Sequence, residues 1–487
     1  MRRILLIVLM GLSLGSCAFR GALKMDCADF ASFIHPIEMT PLERQIRALD
    51  LETLPPAERE LANRLAAAEI ERLERDPAFL AAPPSPERPV LLLSGGGQWG
   101  AFGVGLMNQL VENRQFPDFS VVTGVSTGAL QSLFVGAGLD RQDAEGKAIR
   151  DALETSYSPQ KESDIVDRES IQALAALNGA LANLKPLKRR FEQRICPAIY
   201  DPKSPAGQAG VCIVKTLRDA KTRKVLLGMI EANSGEFGYV DVQELLAPYG
   251  DSKKELGEAT QCLAGAAIAS AAVPVFYQQV RVGKKPLYKT YYDGGVRQSV
   301  FLASVADAQR VAREIVRRKR AELLGRDVPA PAPGPGADIY VIRNGPTVLP
   351  PDQVVMPGYP SEIDEKADAL RAAQRGEAIM VNQLEVTSIA GLRLSRPGGA
   401  IWFVSADGYR NYTPTYDSKI TCGPIKEARK NKNMMFIPDF MRCMMDYGRN
   451  RATGGEPWID LCHYDGTETR AVCRRPDGTM PAVVGRR

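Results

Sequence analysis

Histidine is almost missing from this chain: its 487 residues hold two, His35 and His463. That scarcity rules out a histidine-rich metal site, and no Cys-x-x-Cys pair is there to replace it. No metal or organic cofactor is therefore expected. No apolar run approaches the length needed to span a bilayer as a helix. A dense basic patch with interleaved aromatics is also lacking, and the net charge of +5 is modest for the length. Nucleic acid is thus a poor partner. Mild basicity would suit an anionic membrane surface, although charge alone does not establish one. No internal repeat is found. What remains is 45% hydrophobic and 24% charged, the composition of an ordinary globular protein with room for one to three domains.

The first residues are distinctive. Arg2-Arg3 precede an apolar run over residues 4–14, which has the length of a signal h-region. The run ends in Leu14-Gly15-Ser16-Cys17, which resembles the lipobox of bacterial lipoproteins. That resemblance implies a signal peptide over residues 1–16 and a diacylglyceryl anchor on Cys17. A plain secretory signal with a chance cysteine is the alternative. Ala18, rather than Asp, after the cysteine favours the outer membrane, facing the periplasm. Of the nine cysteines, lipidation of Cys17 leaves eight, an even number suited to an oxidising compartment. Short closures between Cys196 and Cys212 and between Cys462 and Cys473 are expected first.

Along the chain, residues 17–86 read as a helical N-terminal extension, with a helix start at Thr40-Pro41 and helical apolar spacing from 57 to 75. The proline-rich stretch 82–86 marks a boundary. Residues 87–450 form the main domain. Strands are expected at 90–93, 119–123, 287–292, 338–343 and 400–406, and a hairpin from 211–220 and 224–232. Helices are expected at 101–113, 129–137, 305–324, 365–385 and 434–447. Residues 154–205 read as a polar helical insertion whose basic stretch 185–194 is either a solvated face or a membrane contact. Residues 330–336, made only of Pro, Ala and Gly, read as a linker. Residues 451–487 form a cysteine-rich tail. Two strand–turn–helix units in succession from residue 90 predict an α/β fold on a mainly parallel sheet.

Three short stretches can carry chemistry. Ser94-Gly95-Gly96-Gly97-Gln98-Trp99-Gly100 is a turn with little side chain, whose backbone N–H groups can face developing negative charge. It also fits Gly-x-Gly-x-x-Gly, but a dinucleotide site needs an acidic residue at the end of the next strand. That strand runs instead into Gly124-Val125-Ser126-Thr127-Gly128. A serine between two glycines on a strand-to-helix turn exposes its hydroxyl with a helix N-terminus behind it. Such a nucleophile needs a base. Neither histidine lies in the core segment, whereas Asp293-Gly294-Gly295 ends a core strand. Water exclusion would raise the basicity of that carboxylate. An Asp-Gly turn without catalytic role is the alternative for Asp293.

Taken in order, these stretches resemble patatin-like phospholipases, as does Ala269-Ser270-Ala271-Ala272-Val273-Pro274. The resemblance spans residues 90–447. It implies a three-layer α/β/α fold and acyl-ester hydrolysis of lipids, of phospholipase A or esterase type, by a Ser–Asp dyad through an acyl-enzyme. By position Ser126 matches the nucleophile, Asp293 the base, and Gly95, Gly96 and Gly97 the oxyanion loop. Gly100, Gly124, Gly128, Gly294 and Gly295 complete the motifs. Two departures stand out. The family usually has Arg or Lys where Trp99 stands, and an Asn near the place of Ser299. A Ser-His-Asp esterase recruiting His463, and a non-catalytic envelope lipoprotein, are the competing readings.

Overall fold

The computed structural model describes residues 22–37, 56–82, 88–168, 180–220, 223–329, 337–349, 369–395, 400–428, 434–454 and 457–461. Its centre is one eleven-stranded sheet. The strands are β1 (Leu23–Asp26), β2 (Ile34–Pro36), β3 (Val90–Leu93), β4 (Val121–Val125), β5 (Lys224–Glu231), β6 (Phe237–Asp241), β7 (Val280–Lys284), β8 (Leu287–Asp293), β9 (Ile339–Arg343), β10 (Ile401–Ser405) and β11 (Ile459–Asp460). Strands β5, β4, β3, β9 and β10 lie side by side and parallel. They read as near-continuous apolar runs because both faces are covered. In β3, Leu91 and Leu93 join one apolar cluster while Val90 and Leu92 join another. Alternate residues of one strand thus feed two cores, the signature of helix layers on both faces.

Among the described residues the helices of 6 residues or more are α1 (Pro56–Arg75), α2 (Gly100–Glu112), α3 (Thr127–Gly136), α4 (Ala144–Ser156), α5 (Lys185–Ile195), α6 (Ile213–Asp219), α7 (Lys253–Ser270), α8 (Ala303–Leu324), α9 (Ala369–Ser395), α10 (Cys422–Glu427) and α11 (Pro438–Thr453). Helices α2, α3, α7 and α11 cover one face, and α1, α8 and α9 the other. The expected three-layer α/β/α architecture is what is found. Among the described residues no helix is long and apolar enough to cross a membrane.

Two segments depart from the sequence reading. Residues 211–220 form no strand. Ile213, Val214 and Leu217 are the buried residues there, a spacing that places them on one face of α6. The hairpin partner of β5 is β6 instead. The N-terminal extension is helical only in part. Strand β1 pairs parallel with β7 and β2 pairs antiparallel with β6, so both extend the central sheet. Helix α1 lies where a helix was expected, whereas Thr40-Pro41, the prolines from 83 to 86 and the linker 330–336 fall outside the described residues.

Three disulfides brace this frame. Cys196–Cys212 is the expected short closure. Cys27–Cys262 staples the residue after β1 to α7 across 235 residues, and Cys422–Cys443 staples α10 to α11. Cys17, Cys462 and Cys473 lie outside the described residues.

Candidate active site

The site is built where β4 and β8 end. Strand β5 pairs with β4 through residues 224–228 and with β8 through residues 229–231, while β6 occupies positions 226–230. Because β6 overlaps both of the others, β4 and β8 must share the opposite edge of β5 and meet there end to end. Val125 stands opposite Gly228 and Asp293 opposite Met229, the next residue. Consecutive strand positions are separated by about 3.4 Å. The register therefore delivers Ser126, one residue beyond Val125, and Asp293 to the same place from positions far apart in sequence. Gly294 confirms the contact, since a Cβ there would lie 2.9 Å from the Gly228 carbonyl and 3.0 Å from Val125. Gly295 donates its N–H to Asp293 Oδ1 at 2.7 Å, fixing one carboxylate oxygen. Asp293 itself is 3% exposed.

Ser126 occupies φ 56°, ψ −124°, immediately before α3. This backbone is strained for any residue with a Cβ, and such strain persists only where neighbours hold it. Ser270 at the end of α7 supplies the hold. Its hydroxyl accepts the Ser126 N–H at 3.0 Å and donates to the Gly228 carbonyl at 2.5 Å. Ser270 is fully buried. The motif glycines permit the tight assembly. A Cβ on Gly128 would sit 2.2 Å from the Leu93 carbonyl, so only glycine lets the first turn of α3 abut the end of β3. Gly124 in turn backs onto Gly128, and Gly100 onto Thr127 and Tyr157.

The end of β3 carries the glycine loop over Ser126. Gly95 approaches so closely that a Cβ would be 3.3 Å from that of Ser126. Gly96 has φ 141° and Gly97 φ 55°, and a Cβ on Gly96 would overlap the Asn344 carbonyl at 1.7 Å. The loop is pinned by Asn344, whose amide donates to the Ser94 carbonyl at 2.8 Å and to Gln131 at 2.9 Å. The Gly95 N–H is already donated to Ser299 Oγ at 3.3 Å. Among the described residues no group accepts the N–H of Gly96 or of Gly97. Gln98 reaches away and accepts the Ile437 N–H at 3.1 Å, tying the loop to the start of α11.

The two departures from the family pattern have distinct surroundings. Trp99 stacks edge-on against Tyr409 and Phe440, and Lys426 of α10 stands 5.7 Å from its ring centroid. A cation thus lies against the aromatic side chain that stands at position 99. Ser299 accepts from Gly95 and donates to Glu385 Oε1 at 3.1 Å, so it bridges the Asp-Gly-Gly loop to the glycine loop. Of the histidines, His35 is buried on β2 with its Nε2 2.7 Å from Glu244 Oε2, and His463 falls outside the described residues. Sequence reasoning missed Ser270, Asn344 and Glu385 as structural members of the site. Only Ser270 had left a sign, within the alanine-rich motif before Pro274.

Residues 91–306 match the family model of patatin-like phospholipases. This part of the chain is a patatin-like phospholipase domain. That class comprises lipid ester hydrolases. The match covers the glycine loop from Gly95, the serine turn and the aspartate, and it ends inside α8. Arg343, Asn344 and Glu385, which pin the patatin-like site, lie beyond it. No curated protein sequence matches the chain. Among solved structures it is similar to VipD from Legionella pneumophila at 12% identity, covering 75% of this chain and 68% of that one with a TM-score of 0.25. It is also similar to human GIVD cytosolic phospholipase A2 bound to methyl gamma-linolenyl fluorophosphonate, at 12% identity and a TM-score of 0.31. That match covers 82% of this chain and 62% of the other. Likenesses this slight carry no inference about the site.

Proposed function

We propose that the protein is an exported, lipid-anchored acyl hydrolase that cleaves lipid esters with Ser126 and Asp293. The observation that supports this reading is the meeting of β4 and β8 on one edge of β5, which ends the two strands at neighbouring positions, Val125 opposite Gly228 and Asp293 opposite Met229. Ser126 Oγ attacks the ester carbonyl carbon as Asp293 takes its proton. The carbonyl oxygen becomes an oxyanion facing the N–H groups of Gly96 and Gly97, and Gly95 fixes the base of that loop. The tetrahedral adduct collapses, the alcohol leaves with the proton from Asp293, and an acyl-enzyme remains on Ser126. Asp293 then activates water, which releases the fatty acid and restores the serine. Asp293 is buried, and the Gly295 N–H fixes one of its carboxylate oxygens.

Lipid anchoring at Cys17 rests on the signal-like start and its Leu-Gly-Ser-Cys ending. The three disulfides support an oxidising compartment. An outer-membrane site facing the periplasm follows from Ala18. Metabolic labelling with a palmitate analogue, lost in Cys17→Ala, tests the anchor. The chemistry is tested by incubating membranes with wild type, Ser126→Ala and Asp293→Asn and profiling released fatty acids and lysolipids by mass spectrometry. Release by wild type alone is expected. Wild-type rates in Asp293→Asn would remove the dyad. Loss of activity when both histidines are changed to Gln would favour a triad, and an inert wild type would favour a scaffold lipoprotein.

A further inference from the structure

The oxyanion loop is held by a chain of buried polar groups that begins outside the matched domain. Gly95 donates its N–H to Ser299 Oγ at 3.3 Å, and Ser299 donates to Glu385 Oε1 at 3.1 Å. The other carboxylate oxygen of Glu385 receives both Nε and Nη2 of Arg343, at 3.2 and 2.9 Å. Arg343 reaches Asn382 as well, at 2.7 Å. Ser299, Arg343 and Glu385 are 0%, 1% and 6% exposed, so no water competes for these bonds. Burial pushes the Glu385 carboxyl above the usual carboxylate range, and Arg343 and Ser299 pull against that push.

A hydroxyl has a single proton. With that proton committed to Glu385, Ser299 can meet Gly95 only as an acceptor. The Gly95 peptide is thereby fixed in one orientation, and with it the two peptides that follow, whose N–H groups lie unclaimed. A second pin, from Asn344 under Gly96, holds the loop's backbone but does not touch the Gly95 N–H. Helix α9 thus reaches the site through Ser299, and Glu385 Oε1 lies 3.6 Å from where a Cβ on Gly95 would stand.

We propose that Glu385, anchored by Arg343 and acting through Ser299, is a positioning residue that sets the orientation of the oxyanion-stabilising N–H groups of Gly96 and Gly97. This rests on the hydrolase reading above. Its consequence falls on the transition state, where the oxyanion forms, rather than on substrate binding. Losing an oxyanion donor outright costs about 10²–10³-fold in turnover, so loosening two of them costs about 10–100-fold.

The test uses the full-length protein with a fluorophosphonate probe, which forms a tetrahedral adduct on the nucleophile, and p-nitrophenyl butyrate as substrate. The rate constant of labelling per reactive site is measured, because a fold defect lowers the number of sites and not the rate at each. In Ser299→Ala and in Glu385→Gln the per-site rate and kcat are expected to fall about 10–100-fold with KM within twofold. Ser299→Thr, which keeps the hydroxyl, is expected to recover most of the rate. A wild-type per-site rate in Ser299→Ala overturns the proposal. A wild-type rate in Glu385→Gln beside a slow Ser299→Ala confines the effect to Ser299 and overturns the role of Glu385. If wild type itself resists the probe while folded, the hydrolase reading falls first and takes this inference with it.

Discussion

Removing the Ser270 hydroxyl isolates the support of the proposed nucleophile, Ser126, from that residue itself. In Ser270→Ala the Ser126 N–H loses its acceptor at 3.0 Å and the Gly228 carbonyl loses a donor at 2.5 Å. Both groups are buried, and each unmet one costs about 1–3 kcal/mol, so a loss of about 3 kcal/mol is expected. The strain at φ 56°, ψ −124° stores about 1–3 kcal/mol more, which the hydroxyl no longer restrains. Ser126 then relaxes, and a displacement of about 1 Å suffices for about 100-fold in rate. Urea unfolding with the disulfides intact reads the first term. At a slope of about 3 kcal/mol/M the midpoint moves down by about 1 M. Fluorophosphonate labelling reads the second. The control is Ser132→Ala on α3, whose hydroxyl donates only to the Ala129 carbonyl of its own helix at 2.8 Å. That substitution is expected to shift the midpoint by well under half as much and to leave labelling unchanged. Equal midpoints and equal labelling in the two variants would refute the claim that Ser270 holds the elbow.

Two further outcomes concern the frame. In the chain-entropy description the Cys27–Cys262 bridge, closing 235 residues, contributes about 5 kcal/mol, and Cys422–Cys443, closing 21, about 3 kcal/mol. Paired Cys→Ser variants should lose stability in that order in non-reducing denaturation, and the reverse order would show that local strain rather than loop size decides. Acid should loosen the edge of the sheet at β2. Burial tends to raise the Glu244 carboxyl, but the hydrogen bond from His35 and the charge of Arg64 outweigh it and hold Glu244 below the usual range. A lowered carboxylate contributes stability that is present above its unfolded value and lost as pH falls through its folded one. Wild type should therefore exceed Glu244→Gln in stability near neutral pH, with the gap closing as pH falls below the ordinary glutamate range. A gap that is constant with pH would exclude the charge as its source.

How much of this was readable from the sequence depends on where each residue's role is imposed. Gly96, Gly128 and Ser126 were legible because their own backbones carry the constraint, a positive φ or an approach no side chain survives, and such positions leave glycine and serine at fixed spacing. The parallel core was legible for the same reason, since β3 and β4 must bury both faces. Segment 211–220 was misread because its apolar residues fit two periods over so short a span, and only the fold chose the helical one. Strands β1 and β2 gave no sign, since each becomes a strand only by borrowing an edge from β7 or β6. Cysteine parity set how many bridges to expect but not which; of the two short closures expected, Cys196–Cys212 is found and Cys462–Cys473 lies outside the described residues. The site's supports were hidden most completely. Ser126 meets Ser270 across 144 residues, Gly95 meets Ser299 across 204, and Ser299 meets Glu385 across 86. An ordinary Ser or Glu acquires its role there from a partner that local sequence does not name. The chemistry of this protein is written in short motifs, and the stiffness that lets them react is written elsewhere. A variant screen confined to the motif residues would therefore reach Ser126 and Asp293, the proposed nucleophile and base, but miss the groups that brace the turns carrying them.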